Sequence, residues 1–330
     1  MDEELVAILE RLGLGRAERL VPLTGGVSSD ILRVETPRGP FVVKRALAKL
    51  KVAADWRAPV ARNRYEVMWL ETAGAVVPES VPRVLGHDPE HGLFAMEWLD
   101  PESYPVWKGL LRDGTVDLAF AAEVGRRLAA IHGATAGDAA VAARFSTDAI
   151  FHAIRLEPYL EATARRHPAV ADRLTALSRE TLATKRALVH GDVSPKNILA
   201  GPRGPIFLDA ECAWYGDPAF DLAFCLNHLL LKGLWNRPAA PAYLRAFDAL
   251  AEAYRSGAAF EPAEGLEGRA ARLLPALFLA RVDGKSPVEY VSAEADRDLV
   301  RETALPLIRE PPARLSAVRA AWAEALNLET

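Results

Sequence analysis

Cysteine is almost missing from this chain. Cys212 and Cys225 are the only two among 330 residues, and they form no C-x-x-C pair. That excludes a disulfide framework and a thiolate zinc cluster, and it suits two buried thiols in a reduced compartment. The seven histidines fall in no H-E-x-x-H or clustered pattern, so a structural zinc is not expected either. Long apolar runs are lacking too: the most apolar late stretch, residues 222–231, is broken by Asn227 and His228. The acidic, amphipathic start has neither the basic segment nor the apolar core of a secretion signal. Charge of one sign is not in excess; a net charge of −4 offers no basic field to nucleic acid. These absences predict a cytoplasmic protein that engages neither membrane nor nucleic acid.

Two common nucleotide-binding devices are absent as well. Gly284-Lys285-Ser286 resembles the end of a P-loop, but Leu279 stands where its first glycine belongs and Pro287 follows. Gly25-Gly26 lacks the third glycine of a dinucleotide fingerprint, and a strand follows it instead of a helix.

What is present divides the chain in two. Residues 1–98 read as a helix followed mostly by strands: 21–23, 31–34 and 41–44 are β-like runs separated by turn signals. Residues 62–73 carry apolar groups at helical spacing, and two more strands flank the turn at Asp88-Pro89. A looser stretch with Pro101 and Pro105 serves as connector. Residues 99–330 are mainly helical, with long segments at 117–135, 148–165 and 170–184 and short β-like runs only between 187 and 209. The expected class is α+β: a small antiparallel β lobe over 1–98 and a larger helical lobe over 99–330, with the chemistry on loops at their junction.

The chemistry is concentrated in His190-Gly191-Asp192-Val193-Ser194-Pro195-Lys196-Asn197 and in Asp209 after the apolar Ile206-Phe207-Leu208. An Asp with an Asn five residues on, and then a second Asp, matches the needs of phosphoryl transfer. Asp192 orients or deprotonates a hydroxyl, while Asn197 and Asp209 hold Mg2+, and Glu211, two residues on, is placed to support a second metal or to touch substrate. Lys44, on the third strand, reaches phosphates if an acid steadies it, and Glu66 on the next helix is the candidate acid. Gly25, Gly26 and Ser28 sit in a strand–turn–strand where backbone N–H groups can cover phosphates. Asp217 reads as a helix cap with Pro218 behind it, and Asp221 as a support for the His190–Asn197 loop.

These residues resemble the aminoglycoside phosphotransferase family of the protein-kinase-like superfamily. The resemblance rests on His190-Gly191-Asp192 with Asn197, on Leu208-Asp209-Ala210-Glu211, and on Gly216-Asp217-Pro218 with Asp221. Lys44, Glu66, Met96-Glu97-Trp98 and Leu128–His132 extend it. Residues 43–47, Asp55-Trp56, Pro59, Arg62 and Glu66 are similar to the matching part of 5-methylthioribose kinases, as are residues 213–216. The resemblance implies a two-lobed kinase-like fold, ATP in the cleft, one or two Mg2+ ions and a small hydroxyl acceptor. It implies adenine pairing with the backbone around Glu97 and Leu99. The acceptor is then expected near Asp192, with Trp214, Tyr215, Arg281, Asp283 and Lys285 as candidate contacts. Inactivation of an aminoglycoside and a catalytically silent nucleotide-binding module are the competing expectations. A protein kinase is disfavoured, because only residues 210–216 separate Asp209 from the Asp217 cap and leave little room for a peptide-docking segment.

Overall fold

Two-residue alternation organises the N-terminal part of this computed structural model, which describes residues 3–23, 29–47 and 62–328. Strands β1 (Arg19–Pro22), β2 (Ser29–Glu35), β3 (Phe41–Ala46), β4 (Val84–Asp88) and β5 (Leu93–Glu97) form an antiparallel sheet ordered β1-β2-β3-β5-β4. Val34, Phe41, Val43, Leu93 and Ala95 bury one face against the helix Glu3–Arg11, whose Leu5, Ile8 and Leu9 recur at helical spacing. Residues one step out of phase, Ile31, Val42, Lys44 and Met96, line a cleft on the opposite face. Register therefore places Lys44 in the cleft, opposite Ile31 on β2 and Phe94 on β5. The helix Arg62–Val76 buries Val67, Trp69, Leu70 and Ala73 and brings Glu66 in with them. The glycine turn at Gly25, Gly26 and Ser28 lies outside the described residues.

The rest of the chain is mostly helical. At its centre runs Pro218–Trp235, buried at every residue from Pro218 to Leu234, as expected of a helix apolar on all sides. The helix Leu118–Thr135 begins at Asp117, whose carboxylate accepts from the backbone N–H of Ala119 and Phe120 at 2.8 and 3.1 Å. The segment expected as one helix over 148–165 is helical but not uniform. Asp148–Phe151 and Ala162–Arg166 are α-helical, and His152–Glu161 between them is π-helical around Pro158. Proline has no N–H for the α ladder, and the wider turn accommodates it. Short strands then frame the loop of interest: β6 (Ala187–Val189) pairs with β9 (Trp214–Gly216), and β7 (Ile198–Gly201) with β8 (Gly204–Phe207). Among the described residues no helix is long and apolar enough to cross a membrane. Both cysteines are free and buried.

The helices Leu118–Thr135 and Ala240–Gly257 touch closely at Gly125, where a β-carbon would fall 2.4 Å from the Leu250 carbonyl oxygen and 3.0 Å from the Tyr254 nitrogen. Gly125→Ala must push the pair apart and should cost about 1–3 kcal/mol. The expected readout is a lower urea midpoint at unchanged slope; an unchanged midpoint would mean that this contact does not hold the helices in place.

Candidate active site

The His190–Asn197 loop is shaped by its backbone partners. Asp221, with no exposed surface, accepts from the N–H of His190 at 2.7 Å and of Gly191 at 2.8 Å, one on each oxygen. His132 Nε2 lies 3.3 Å from the same carboxylate, and its Nδ1 meets the Tyr254 hydroxyl at 2.8 Å. Gly191 adopts φ 80°, and a β-carbon there would be 2.8 Å from Cys212, so a side chain is excluded twice over. His190 Nδ1 accepts from the Asp192 N–H at 3.1 Å, which places the proton on Nε2, facing the Leu208 carbonyl at 3.1 Å. Burial lowers the His190 pKa, consistent with a neutral ring that props the loop.

Asp192 is surrounded by donors. Its Oδ2 receives Asn197 Nδ2 at 2.8 Å, Arg155 Nη2 at 2.9 Å and Lys196 Nζ at 3.3 Å. Burial alone would raise its pKa, but Arg155 and then Lys196 outweigh that and hold it below the ordinary aspartate value. All three partners engage Oδ2; among the described residues Oδ1 has no such bond, so it is the oxygen left to meet a hydroxyl.

Lys44 connects the sheet to the other side of the cleft. Its ammonium forms an ion pair with Glu66 at 2.7 Å and another, very short one with Asp209. Burial would lower the Lys44 pKa, yet Asp209, Glu66 and Glu211 reverse that and hold it above the ordinary lysine value. Asp209 is pushed up by burial and down more strongly by Lys44 and Lys196, and ends below its ordinary value. Glu66 is raised to about 7 by burial, with Lys44 opposing the rise. Asp209 also sits at φ 67°, a conformation non-glycine residues seldom adopt outside functional sites and turns. Glu211 is paired with Arg62 at 2.9 Å.

Lys44, Glu66, Asn197 and Asp209 line one cleft of about 430 Å3, of a size suited to a cofactor or small ligand. Glu97 and Leu99 lie at its edge. Ile31, Val42 and Met96 from the sheet, with Leu199 and Leu208, give part of the cleft an apolar lining. Asp209 and Asn197 contribute only hard oxygen ligands in this cleft, the donor type that Mg2+ prefers. That donor set fits such an ion.

A sheet with a lysine–glutamate pair, joined across a cleft to a helical region carrying Asp192, Asn197 and Asp209, defines a protein-kinase-like fold. The family model for APH, the phosphotransferase enzyme family, matches residues 19–260, and the chain belongs to that family. Methylthioribose kinases from Yersinia pseudotuberculosis serotype O:3 and Pectobacterium carotovorum are each 26% identical to it. The matches cover 58% and 61% of this chain and 53% and 56% of those proteins, so the chain spans about half the length of the curated relatives it matches. Among solved structures, a choline kinase from Cryptosporidium parvum superposes with TM-score 0.58 at 12% identity, covering 97% of this chain and 100% of that one. An amicoumacin kinase in complex with AMP-PNP, Ca2+ and its ligand gives TM-score 0.52 at 15% identity, over 96% and 98% of the two chains.

Several residues that the sequence offers for the acceptor are committed elsewhere. Trp214 is fully buried, stacked on Phe151 at 4.2 Å with its indole N–H donated to Asp148. Tyr215 donates its hydroxyl to the Arg186 carbonyl at 2.9 Å. Lys285 pairs with Glu157 at 2.8 Å. Asp283 is held by Arg301 at 2.8 and 2.9 Å and by His167 at 2.7 Å. Side chains near a lobe junction are also the ones that packing and ion pairing consume, and spacing alone does not separate the two uses. Arg281 donates to the Tyr159 hydroxyl at 3.0 Å and to Ser286, and also lines a second, smaller cavity beside the loop. Sequence reading missed Arg155 altogether; it lies in the π-helical stretch that contains Pro158, an irregularity the proline could have signalled, and its guanidinium meets Asp192 at 2.9 Å. For Asp283, hydrogen bonds from Arg301 and His167 overcome the upward push of burial and hold the pKa below its ordinary value. A carboxylate with a depressed folded pKa stabilises fully above its unfolded value, and that contribution fades as pH falls through the folded one. Asp283→Asn should cost about 2 kcal/mol at neutral pH, and the gap to wild type should close below about pH 4. Equal melting temperatures at neutral pH would remove Asp283 from the stabilising set.

Proposed function

We propose that this chain is an ATP- and Mg2+-dependent kinase that phosphorylates a hydroxyl of a small, sugar-like metabolite. The observation that carries the reading is Lys44 bonded to both Glu66 and Asp209 in a cleft shared with Asn197, with Asp192 on the same loop as Asn197. Support for the nucleotide and a divalent ion comes from the amicoumacin kinase structure of the same fold, which holds AMP-PNP and Ca2+. Support for a sugar-like acceptor comes from the methylthioribose kinases among the relatives. The segment from Asp209 to the Asp217 cap is short and ends in β9, which gives a peptide substrate no docking loop.

In this reading the apolar part of the cleft takes the base and Lys44 steadies the phosphates. Asn197 and Asp209, with Glu211 close by, would hold Mg2+, which when bound neutralises charge on the triphosphate. Asp192 Oδ1 accepts the hydrogen bond of the acceptor hydroxyl and aims its oxygen at the γ-phosphorus. Because Arg155 and Lys196 keep Asp192 a weak base, it orients first and takes the proton only as the new bond forms. The acceptor oxygen–phosphorus bond is made, the bond from that phosphorus to the β–γ bridging oxygen breaks, and ADP leaves. The proton passes from Asp192 to solvent.

The test is transfer of γ-labelled phosphate from ATP into an extract of small metabolites, wild type beside Asp192→Ala. A labelled product made by wild type, falling by about 10²–10⁴-fold in the variant with ATP affinity retained, is the expected result. Chelation of divalent ions should abolish labelling and added Mg2+ restore it. Equal labelling by the two proteins would refute the role of Asp192, and no labelling by either would favour a silent nucleotide-binding module.

A further inference from the structure

The cleft leaves a group of polar side chains unused, and they lie together. Ser194 Oγ, His228 Nε2, Arg281 Nε and the Tyr290 hydroxyl are all buried without a hydrogen-bond partner. All four residues line one cavity of about 30 Å3, together with Lys232. Ser194 is 0%, Lys232 1%, His228 6% and Arg281 8% exposed, so these groups are built into the interior and do not trail at a surface. Buried polar atoms are nearly always paired, so four without a protein partner around one cavity mark a place that water or a bound polar group completes.

The charge of the cavity says what that is. Lys232 has no ion-pair partner among the described residues; its ammonium rests over the rings of Trp235 at 4.3 Å and Tyr290 at 4.0 Å. Burial lowers its pKa to about 7, with Lys108 and Arg281 adding repulsion and Glu289 opposing it. The nearby acids are already engaged: Glu289 pairs with Lys108, and Asp192 with Arg155 and Lys196. Lys232 is thus a buried amine without an ion pair among the described residues, and an anion beside it would favour its charged form; Arg281 also lacks an ion pair there, its Nη1 being held by the Tyr159 hydroxyl at 3.0 Å and by Ser286 while its Nε has no partner. His228 and Lys232 lie one turn apart on the helix Pro218–Trp235 and present both groups to the same side. Ser194, Pro195 and Lys196 of the loop that carries Asp192 form the cavity's near wall.

We propose that the acceptor is a small hydroxy compound bearing an oxyanion, a carboxylate or a phosphate, which this cavity binds while the hydroxyl faces Asp192. The inference rests on the kinase reading above and names its substrate class. A cationic acceptor would meet two unpaired cations, and a neutral one would leave Lys232 without a partner. The cavity has room for one such group and not for a sugar ring, so the body of the acceptor lies outside it, toward Asp192.

Calorimetry on the full chain with ADP and Mg2+ tests this, using D-glycerate and glycerol 3-phosphate against glycerol and choline. At least one anionic probe should bind about tenfold or more tightly than glycerol, and the preferred one separates carboxylate from phosphate. Lys232→Met should abolish that preference with ADP affinity unchanged, a readout that also shows the variant is folded, and Lys232→Arg should keep part of it. Anions that bind no better than glycerol or choline, or that bind Lys232→Met as tightly as wild type, overturn the proposal. Labelled transfer to a neutral or cationic acceptor that Lys232→Met leaves intact would overturn it too, with the kinase reading standing. A Lys232-dependent preference for anions without transfer from ATP to any acceptor would instead fail the kinase reading and keep the oxyanion site.

Discussion

Asp221 accepts two backbone N–H groups, and the geometry of the whole site hangs from those two bonds. They fix His190 and Gly191, and through them the direction in which Asp192 leaves the loop. A carboxylate with no exposed surface is tolerated only where donors satisfy it, and His132 completes the set from the helix Leu118–Thr135. Tyr254, bonded to His132, belongs to the helix that meets Leu118–Thr135 at Gly125. The close approach of two helices is therefore transmitted, bond by bond, to the loop that carries Asp192.

The cleft adds a second constraint, which is charge balance in a buried space. Lys44 sits between Glu66 and Asp209, Arg62 holds Glu211, and Asp192 faces Arg155 and Lys196. Each charge has an opposite neighbour, so Asp192 and Asp209 stay ionised and Lys44 stays protonated despite burial, while Glu66 is still raised to about 7. These pairs also tie the sheet to the helical region, since Lys44 and Asp209 come from opposite sides of the cleft. The cavity beside the loop breaks this rule. Lys232 and Arg281 have no ion pair among the described residues, the nearby Glu289 being paired with Lys108, and a ligand anion would restore the pattern.

Much of this was legible in the residues. The α+β class and the order of helix, strands and then mostly helices follow from periodicity, and the motif from His190 to Asp221 carried the resemblance to the phosphotransferase family that the family model bears out. Lys44 was readable because a strand's two-residue period puts it in phase with Val42. Asp217 and Asp221 were readable because an Asp-Pro pair at a helix start has few other uses. The acceptor residues were not. Trp214, Tyr215, Asp283 and Lys285 have the right chemistry near the right loop, but packing and ion pairs consume them. Arg155 and Lys232 went unnoticed because one lies in an ordinary-looking helical stretch and the other closes an apolar run that reads as core.

The sequence by itself determined the elements, their order and the chemistry available, because local period, turn residues and a short motif act over a few residues at a time. Only the tertiary structure decided which charges are spent on one another and which remain free. Whether Asp283 or Arg281 meets a ligand depends on what stands beside it: His167 and Arg301 for the first, Tyr159, Ser286 and a small cavity for the second. Those neighbours come from distant parts of the chain, and burial makes each pairing decisive by removing water as an alternative partner.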